Sequence, residues 1–114
     1  MRKAIFHVDE IEKWNMVIHN VQNMLNFYTQ NEQSYHIEIL ANGPAVKEYK
    51  MEGANHGKDL ASLSGDHVIL KACNNALKSL KISHEDLFDF VMVVPAGVVE
   101  LVEKQDEGYA YIKP

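Results

Sequence analysis

The sequence of 114 residues contains a single cysteine, Cys73, which excludes an intramolecular disulfide. A chain without disulfides suits a reducing compartment. No stretch approaches the ~20 consecutive apolar residues that span a bilayer. The apolar run at the N-terminus is interrupted at Asp9 and Glu10, too early for a signal peptide. We therefore predict a cytoplasmic protein with no membrane partner.

Basic residues are few and scattered along the chain. The 11 Lys and Arg residues are outnumbered by 16 Asp and Glu residues, which gives a formal charge of −5. No basic run could follow a phosphate backbone, so no nucleic-acid partner is predicted. The sequence also lacks repeats, linkers and low-complexity tracts. Its length fits one domain with its own core, and we predict a single domain over residues 1–114.

Motifs for metals and cofactors are missing as well. The six histidines include no His-x-x-x-His pair, and one cysteine with dispersed histidines rarely makes a zinc site. The glycines form neither Gly-x-Gly-x-x-Gly nor a P-loop. We predict no metal and no cofactor. Four acidic residues near the C-terminus are expected on the solvated side of the last helix rather than in a catalytic pair: Glu100, Glu103, Asp106 and Glu107.

The sequence does contain a regular alternation of short apolar runs and helical patterns. The runs close at Val8, Ala41, Cys73, Val94 and Ile112. Between the first two, apolar residues recur every three or four positions from Trp14 to Tyr28, which predicts a helix that Asp9 and Glu12 cap. The run Phe90–Val94 is apolar throughout, as in a strand covered on both faces. This alternation predicts an α/β fold with a parallel sheet between helices.

The carboxyl ends of parallel strands meet at one edge of the sheet, where α/β proteins bind ligands. The turns expected there carry small, polar or turn-forming residues. Together with one histidine from the irregular segment 52–57, they form the predicted binding rim: Asp9, Asn42, Gly43, His56, Asn74, Asn75, Pro95 and Gly97. The alternative interpretation is that these residues only shape tight turns, which use the same residue types.

Cys73 is the candidate nucleophile because it closes the third strand, directly before a predicted helix. A thiol reacts as its thiolate, and the free amides and dipole of a helix N-terminus favour the anion. We expect Asn74 and Asn75 to contribute amide contacts and His56 to be the polar partner. A lone thiol suits a persulfide carrier better than a dithiol redox centre. The alternative is that Cys73 is buried and acts as a small hydrophobic residue.

The last predicted helix is apolar around more than one stripe, at Val98, Val99, Leu101 and Val102. An apolar surface of this kind is costly when it faces solvent. Two interpretations stay open, a subunit interface or a well-covered edge of the core.

The sequence resembles the DsrE/DsrF-like family, and in particular its small stand-alone members. The resemblance is carried by Phe6-His7-Val8-Asp9, the helix from Trp14, Ala41–Val46, Val68–Leu77, Val94–Leu101 and Glu107–Ile112. It implies a three-layer α/β/α sandwich with a five-stranded, mainly parallel sheet. It also implies assembly as trimers or hexamers. In the sulfur-relay members, a cysteine after the third strand accepts persulfide sulfur, and Cys73 matches that position.

These observations lead to two functional hypotheses. In the first, Cys73 accepts sulfane sulfur as a persulfide from a donor protein and passes it to an acceptor protein. The chain has no second cysteine, so any relay must run between proteins. In the second, the chain is a non-catalytic oligomer of the same fold that binds a small ligand or a partner. Whether the protein is an enzyme is left open between them, because a shared fold does not determine function.

Overall fold

The computed structural model describes residues 1–114 and contains one five-stranded sheet in which all strands run parallel. The strands are β1 (Arg2–Val8), β2 (Tyr35–Ala41), β3 (Ile69–Cys73), β4 (Val91–Val94) and β5 (Ala110–Ile112). Their order across the sheet is β4-β3-β2-β1-β5. The α-helices are α1 (Trp14–Gln30), α2 (Gly57–Gly65), α3 (Asn74–Ser79) and α4 (Gly97–Asp106). Short 3-10 helices cover Ile11–Lys13, Gly43–Tyr49 and His84–Asp86.

Most of the core lies on one face of the sheet, which we call the α1 face. Side chains alternate along each strand, so Phe6, Ile39 and Leu70 share this face and join a single cluster of buried residues. The same cluster takes in the apolar stripe of α1, the inner residues of α2, and Leu77 of α3. Its polar atoms are paired: the indole N–H of Trp14 donates to the carbonyl oxygen of Ala45 across 2.9 Å.

The opposite face, which we call the α4 face, is covered by a single helix. Leu101 of α4 packs on Ile5 and Leu40 in a separate cluster of three buried residues. The strand register extends this face to the edges of the sheet, where large apolar side chains remain exposed. With the outer side of α4, the exposed set on this face comprises Ile69, Met92, Val98, Val99, Val102 and Tyr111.

The predicted α/β sandwich with a parallel five-stranded sheet is confirmed, since helices cover both faces. Two local expectations are wrong. Asp9 caps no helix, because a 3-10 turn precedes α1 and the Asp9 carboxylate instead accepts a hydrogen bond from Lys113. Strand β4 is not covered on both faces, because it is an edge strand and leaves Met92 exposed.

Candidate functional site at the carboxyl edge of the sheet

Cys73 is the last residue of β3, and its side chain points to the α4 face. Residues two apart share a face, so Cys73 follows Lys71, which is bonded to α4. The backbone N–H of Gly97, the first residue of α4, donates to Cys73 Sγ across 3.3 Å. Only 6% of Cys73 is exposed. The thiol therefore lies at the carboxyl edge of the sheet, beneath the first turn of α4.

The contacts expected from Asn74 and Asn75 are replaced by this amide of Gly97. Helix α3 begins directly after Cys73, but it packs through Leu77 into the cluster on the α1 face, away from the thiol. The Asn74 Oδ1 atom pairs with His84 Nε2 at 2.8 Å, and Asn75 is exposed. The donor to sulfur thus comes from the element that follows β4, a contact between residues 24 positions apart.

Because Gly97 has no side chain, three segments pack closely beside the thiol. They are the start of α4, the end of β3 and the residue that follows β2. A Cβ atom built on Gly97 would lie 3.2 Å from Cys73 Cβ and 3.3 Å from Asn42 Cβ. Both distances are tighter than ordinary contacts between carbon atoms, and both neighbours are held by their backbones. The absence of a side chain at Gly97 is therefore what brings the first turn of α4 onto Cys73 and Asn42.

Hydrogen bonds link the side chain of Asn42 to those of His7 and Tyr111. His7 Nε2 lies 3.0 Å from Asn42 Oδ1, and His7 Nδ1 lies 2.7 Å from Tyr111 Oη. Because Asn42 Oδ1 can only accept, His7 Nε2 carries the proton. The Asn42 Nδ2 donor makes no hydrogen bond within the chain and lies 3.5 Å from the Cβ position built on Gly97. A free N–H donor group thus stands beside Gly97, the first residue of the helix that covers the thiol.

Asp9 and Gly43 belong to the same edge, next to His7 and Asn42. Gly43 has φ +54°, and a Cβ there would lie 3.3 Å from the carbonyl oxygen of Asp9. The Asp9 carboxylate accepts from Lys113 Nζ at 2.8 Å, and this bond lowers the pKa of Asp9 below its usual value. Pro95 is exposed in the turn between β4 and α4. The structure therefore gathers most of the predicted rim around one edge.

The structure does not bring His56 to the thiol. Its backbone N–H donates to the buried carboxylate of Glu48 across 2.7 Å, and its ring lies 3.9 Å from the Asp59 carboxylate. The ring lines a cavity of about 560 Å³ together with Phe88. No hydrogen bond or ion pair joins His56 to Cys73, because the segment that carries His56 is tied to the 3-10 helix Gly43–Tyr49.

A buried ion cluster lies next to the thiol on the α4 face. Lys71 Nζ is 2.6 Å from Glu100 Oε2 and 3.2 Å from Glu38 Oε1. Glu100 was expected on the solvated side of α4, and that expectation is wrong, because Lys71 draws its carboxylate toward the sheet. The second carboxyl oxygen of Glu38 is buried and has no hydrogen-bond partner.

The two carboxyl groups in this cluster differ in their pKa. Burial raises the pKa of Glu38 to about 8, and the neighbouring Glu100 adds to the rise. Burial acts in the same direction on Glu100, but the interactions with the neighbouring Glu38 and Lys71 outweigh it and lower the pKa of Glu100. The more buried carboxyl is the weaker acid, and Lys71 lies closer to Glu100. Of the two carboxyl groups, Glu38 therefore takes up a proton more readily, and Lys71 pairs with the charge on Glu100.

The predicted rim does not include His7, Tyr111 and Lys71. His7 shares a strand face with Ile5, and Asn42 follows Leu40 by two residues, so both fall on the α4 face. Alternation along the strands was visible in the sequence, but the order of the strands was not. Without that order, the pairing of His7 with Asn42 could not be derived.

Within the structure, no group of three or more His, Cys, Asp and Glu side chains is arranged to hold a metal ion. None of the helices combines the length and the apolar character needed to cross a bilayer. The functional groups at this edge are the Cys73 thiol, the amides of Gly97 and Asn42, and the neighbouring ion cluster.

Comparison with known proteins shows which structures the chain resembles. The structure resembles the protein of unknown function MTH1491 from Methanobacterium thermoautotrophicum, with 30% sequence identity, a TM-score of 0.89 and 100% of both chains covered. It also resembles the YchN protein from E. coli, with 18% identity, a TM-score of 0.76 and 100% of both chains covered. The protein of unknown function BT1422 from Bacteroides thetaiotaomicron is 14% identical, with a TM-score of 0.75, 98% of this chain covered and 94% of that chain.

A comparison with curated proteins gave no match. The DsrE/DsrF-like family model matches residues 13–114, which include Cys73, Gly97 and all four α-helices. With this match over most of its length, the chain belongs to the DsrE/DsrF-like family.

Proposed function

We propose that Cys73 accepts sulfane sulfur as a persulfide and passes it to an acceptor protein. Membership of the DsrE/DsrF-like family links the chain to sulfur relay in general. The observation that carries the specific proposal is the hydrogen bond from the Gly97 amide to Cys73 Sγ. A backbone N–H at the start of a ten-residue helix stabilises negative charge on sulfur.

The transfer step conserves atoms and electrons. The Cys73 thiolate attacks the outer sulfur of a donor persulfide, R–S–SH. A new S–S bond forms to Sγ, the S–S bond of the donor breaks, and the donor leaves as the thiolate R–S⁻. An acceptor thiolate then attacks the outer sulfur on Cys73, which leaves as a thiolate in turn. No oxidant is required, because each S–S bond that breaks is replaced by another.

The free donor of Asn42 supports the same proposal. Its Nδ2 group stands next to Gly97 and has no other partner. A persulfide extends one sulfur beyond Sγ, and its outer sulfur carries charge when it is deprotonated. Asn42 then donates to the outer sulfur while Gly97 donates to the inner one. Because only 6% of Cys73 is exposed, a donor protein reaches Sγ when the first turn of α4 moves outward.

Thiol labelling of the native protein tests access to the sulfur. The proposal predicts that iodoacetamide modifies Cys73 at neutral pH in the folded protein, and that Cys73→Ser abolishes the modification. Labelling that appears only after unfolding would exclude the carrier role. The sulfur donor and acceptor are separate proteins in this scheme, since the chain has one cysteine.

A second candidate function is favoured by the exposed apolar surface of the α4 face. Val98 is 64% exposed, and Val99 and Val102 are similarly open. A surface of this kind is typical of an interface between subunits. In this alternative the chain is a cytoplasmic single-domain homo-oligomer, a trimer or hexamer as the family implies. It binds a ligand or a partner at the carboxyl edge, and Cys73 is inert.

A further inference from the structure

The attachment of α4 to the sheet determines whether the Gly97 amide reaches Cys73. Helix α4 has only Leu101 and Gly97 buried, while Val98, Val99 and Val102 face outward. Three residues make up its cluster with the sheet, against 21 in the cluster on the other face. Apolar packing alone therefore holds this helix weakly.

A polar connection supplements that packing. Lys71 on β3 donates to the Glu100 carboxylate on α4 across 2.6 Å, and both side chains are largely buried, at 14% and 13% exposed. Charge-assisted hydrogen bonds at this distance are short and strong when water is excluded. Glu38 on β2 lies 3.2 Å from the same ammonium group.

The two contacts between β3 and α4 run side by side. Lys71 precedes Cys73 by two residues on the same strand face, and Glu100 follows Gly97 by three residues, about one helical turn. Both pairs, Lys71–Glu100 and Cys73–Gly97, thus connect the same two elements at adjacent levels. A shift of α4 that breaks the first contact also moves the donor of the second.

We propose that Lys71 and Glu100 are positioning residues that hold the first turn of α4 in place, so that the Gly97 amide stays on Cys73 Sγ. The inference rests on the proposed function, because its consequence is the stabilisation of a sulfur anion at Cys73. Neither side chain touches the sulfur. Their role is to set how often the thiol is bonded and covered, and how often it is open to a donor.

Amide hydrogen exchange measured by NMR tests the inference at the Gly97 N–H. In Glu100→Gln the negative charge that pairs with Lys71 is lost while the side chain keeps its size, so exchange at Gly97 should accelerate roughly tenfold or more. Exchange at Ile39 in the centre of β2 should stay unchanged. The matched control is Glu103→Gln, which makes the same substitution at an exposed position of the same helix.

Two substitutions of lysine complete the test. Lys71→Arg keeps the positive charge and should leave exchange at Gly97 slow, as in wild type, whereas Lys71→Met should behave like Glu100→Gln. If Lys71→Met does not fold, Glu100→Gln and Lys71→Arg carry the comparison. Slow exchange at Gly97 in Glu100→Gln would overturn the inference, and so would acceleration in Glu103→Gln.

The rate of Cys73 alkylation in the same variants connects the ion pair to the thiol. Glu100→Gln should change this rate by a similar factor under conditions where the protein stays folded, while Glu103→Gln leaves it unchanged. An unchanged rate in Glu100→Gln would refute the effect on the thiol. If the wild type takes up no persulfide sulfur while Gly97 exchange responds as predicted, the carrier role fails and the positioning of α4 stands.

Discussion

His7 Nε2 donates a hydrogen bond to Asn42 Oδ1 across 3.0 Å, and this bond leaves the Nδ2 group of Asn42 free beside Gly97. Tyr111 in turn donates to the other ring nitrogen of His7. The orientation of the amide is thus fixed by side chains from β1 and β5, on the far side from the thiol. The site thus presents a free N–H donor, rather than an acceptor, next to the first turn of α4.

Replacing this donor with an acceptor should slow the chemistry of Cys73. Asn42→Asp keeps the shape of the side chain but places a carboxylate beside the thiol, which disfavours a sulfur anion. We expect the rate of alkylation by iodoacetamide at pH 7 to fall roughly tenfold. Asn26→Asp makes the same change at an exposed position of α1 and should leave the rate unchanged. Equal rates for Asn42→Asp and wild type would rule out the role of the amide.

The close approach at Gly97 should be sensitive to a single methyl group. Gly97→Ala introduces a Cβ 3.2 Å from Cys73 Cβ, and overpacking of this kind costs about 1–3 kcal/mol. Urea unfolding should show this loss. In the control Gly65→Ala, no atom lies within 4 Å of the new Cβ, so stability should be equal or higher. Equal losses of unfolding free energy in both variants would show that the close packing beside Cys73 does not cause the effect.

Glu38 should make the stability of the protein depend on pH. Its pKa is raised to about 8 in the folded protein from an ordinary value of 4.5, with burial as the main cause. The folded chain therefore binds more protons than the unfolded chain between these values. The stabilisation of the folded chain by this proton uptake is fully present below pH 4.5 and is lost as the pH rises toward 8.

Glu38→Gln removes this titration and keeps a neutral group of the same shape. The variant should gain stability relative to wild type as the pH increases from 5 to 8, by up to about 1.4 kcal/mol per pH unit. Urea unfolding across this range measures the difference. Glu52→Gln, at an exposed position, is the control. Parallel curves for Glu38→Gln and wild type would show that Glu38 is ionised at neutral pH.

The exposed valines of α4 predict self-association through the α4 face. Val99→Lys places a charge in this surface and should reduce the particle mass measured by light scattering, because burying an unpaired charge is costly. Met16→Lys makes a comparable change on the exposed side of α1 and should leave the mass unchanged. A wild-type protein that stays monomeric at all concentrations would contradict the oligomer.

Contacts that depend on local sequence could be predicted, and contacts between distant segments could not. Strand β2 closes at Ala41 and α1 begins at Trp14, as the sequence predicts, because apolar runs and helical spacing are local signals. The pairing of His7 with Asn42 spans 35 positions and depends on β1 lying beside β2.

Glu100 is a second residue whose contact could not be predicted from its neighbours in sequence. Its neighbours in sequence suggested a solvated helix surface, but its partner Lys71 lies 29 positions away on β3. The position of Cys73 was expected at the end of β3, and the structure confirms it. The source of its amide donor was not predicted, because the direction of the side chain relative to α3 and α4 follows from the packing of the whole sheet.

Incubation of the pure protein with a cysteine desulfurase and cysteine, followed by intact mass spectrometry without reductant, tests the carrier role most directly. The account predicts a mass gain of one sulfur atom that dithiothreitol removes, and no gain in Cys73→Ser. An unmodified mass for a folded protein whose donor enzyme is demonstrably loaded with persulfide would contradict it.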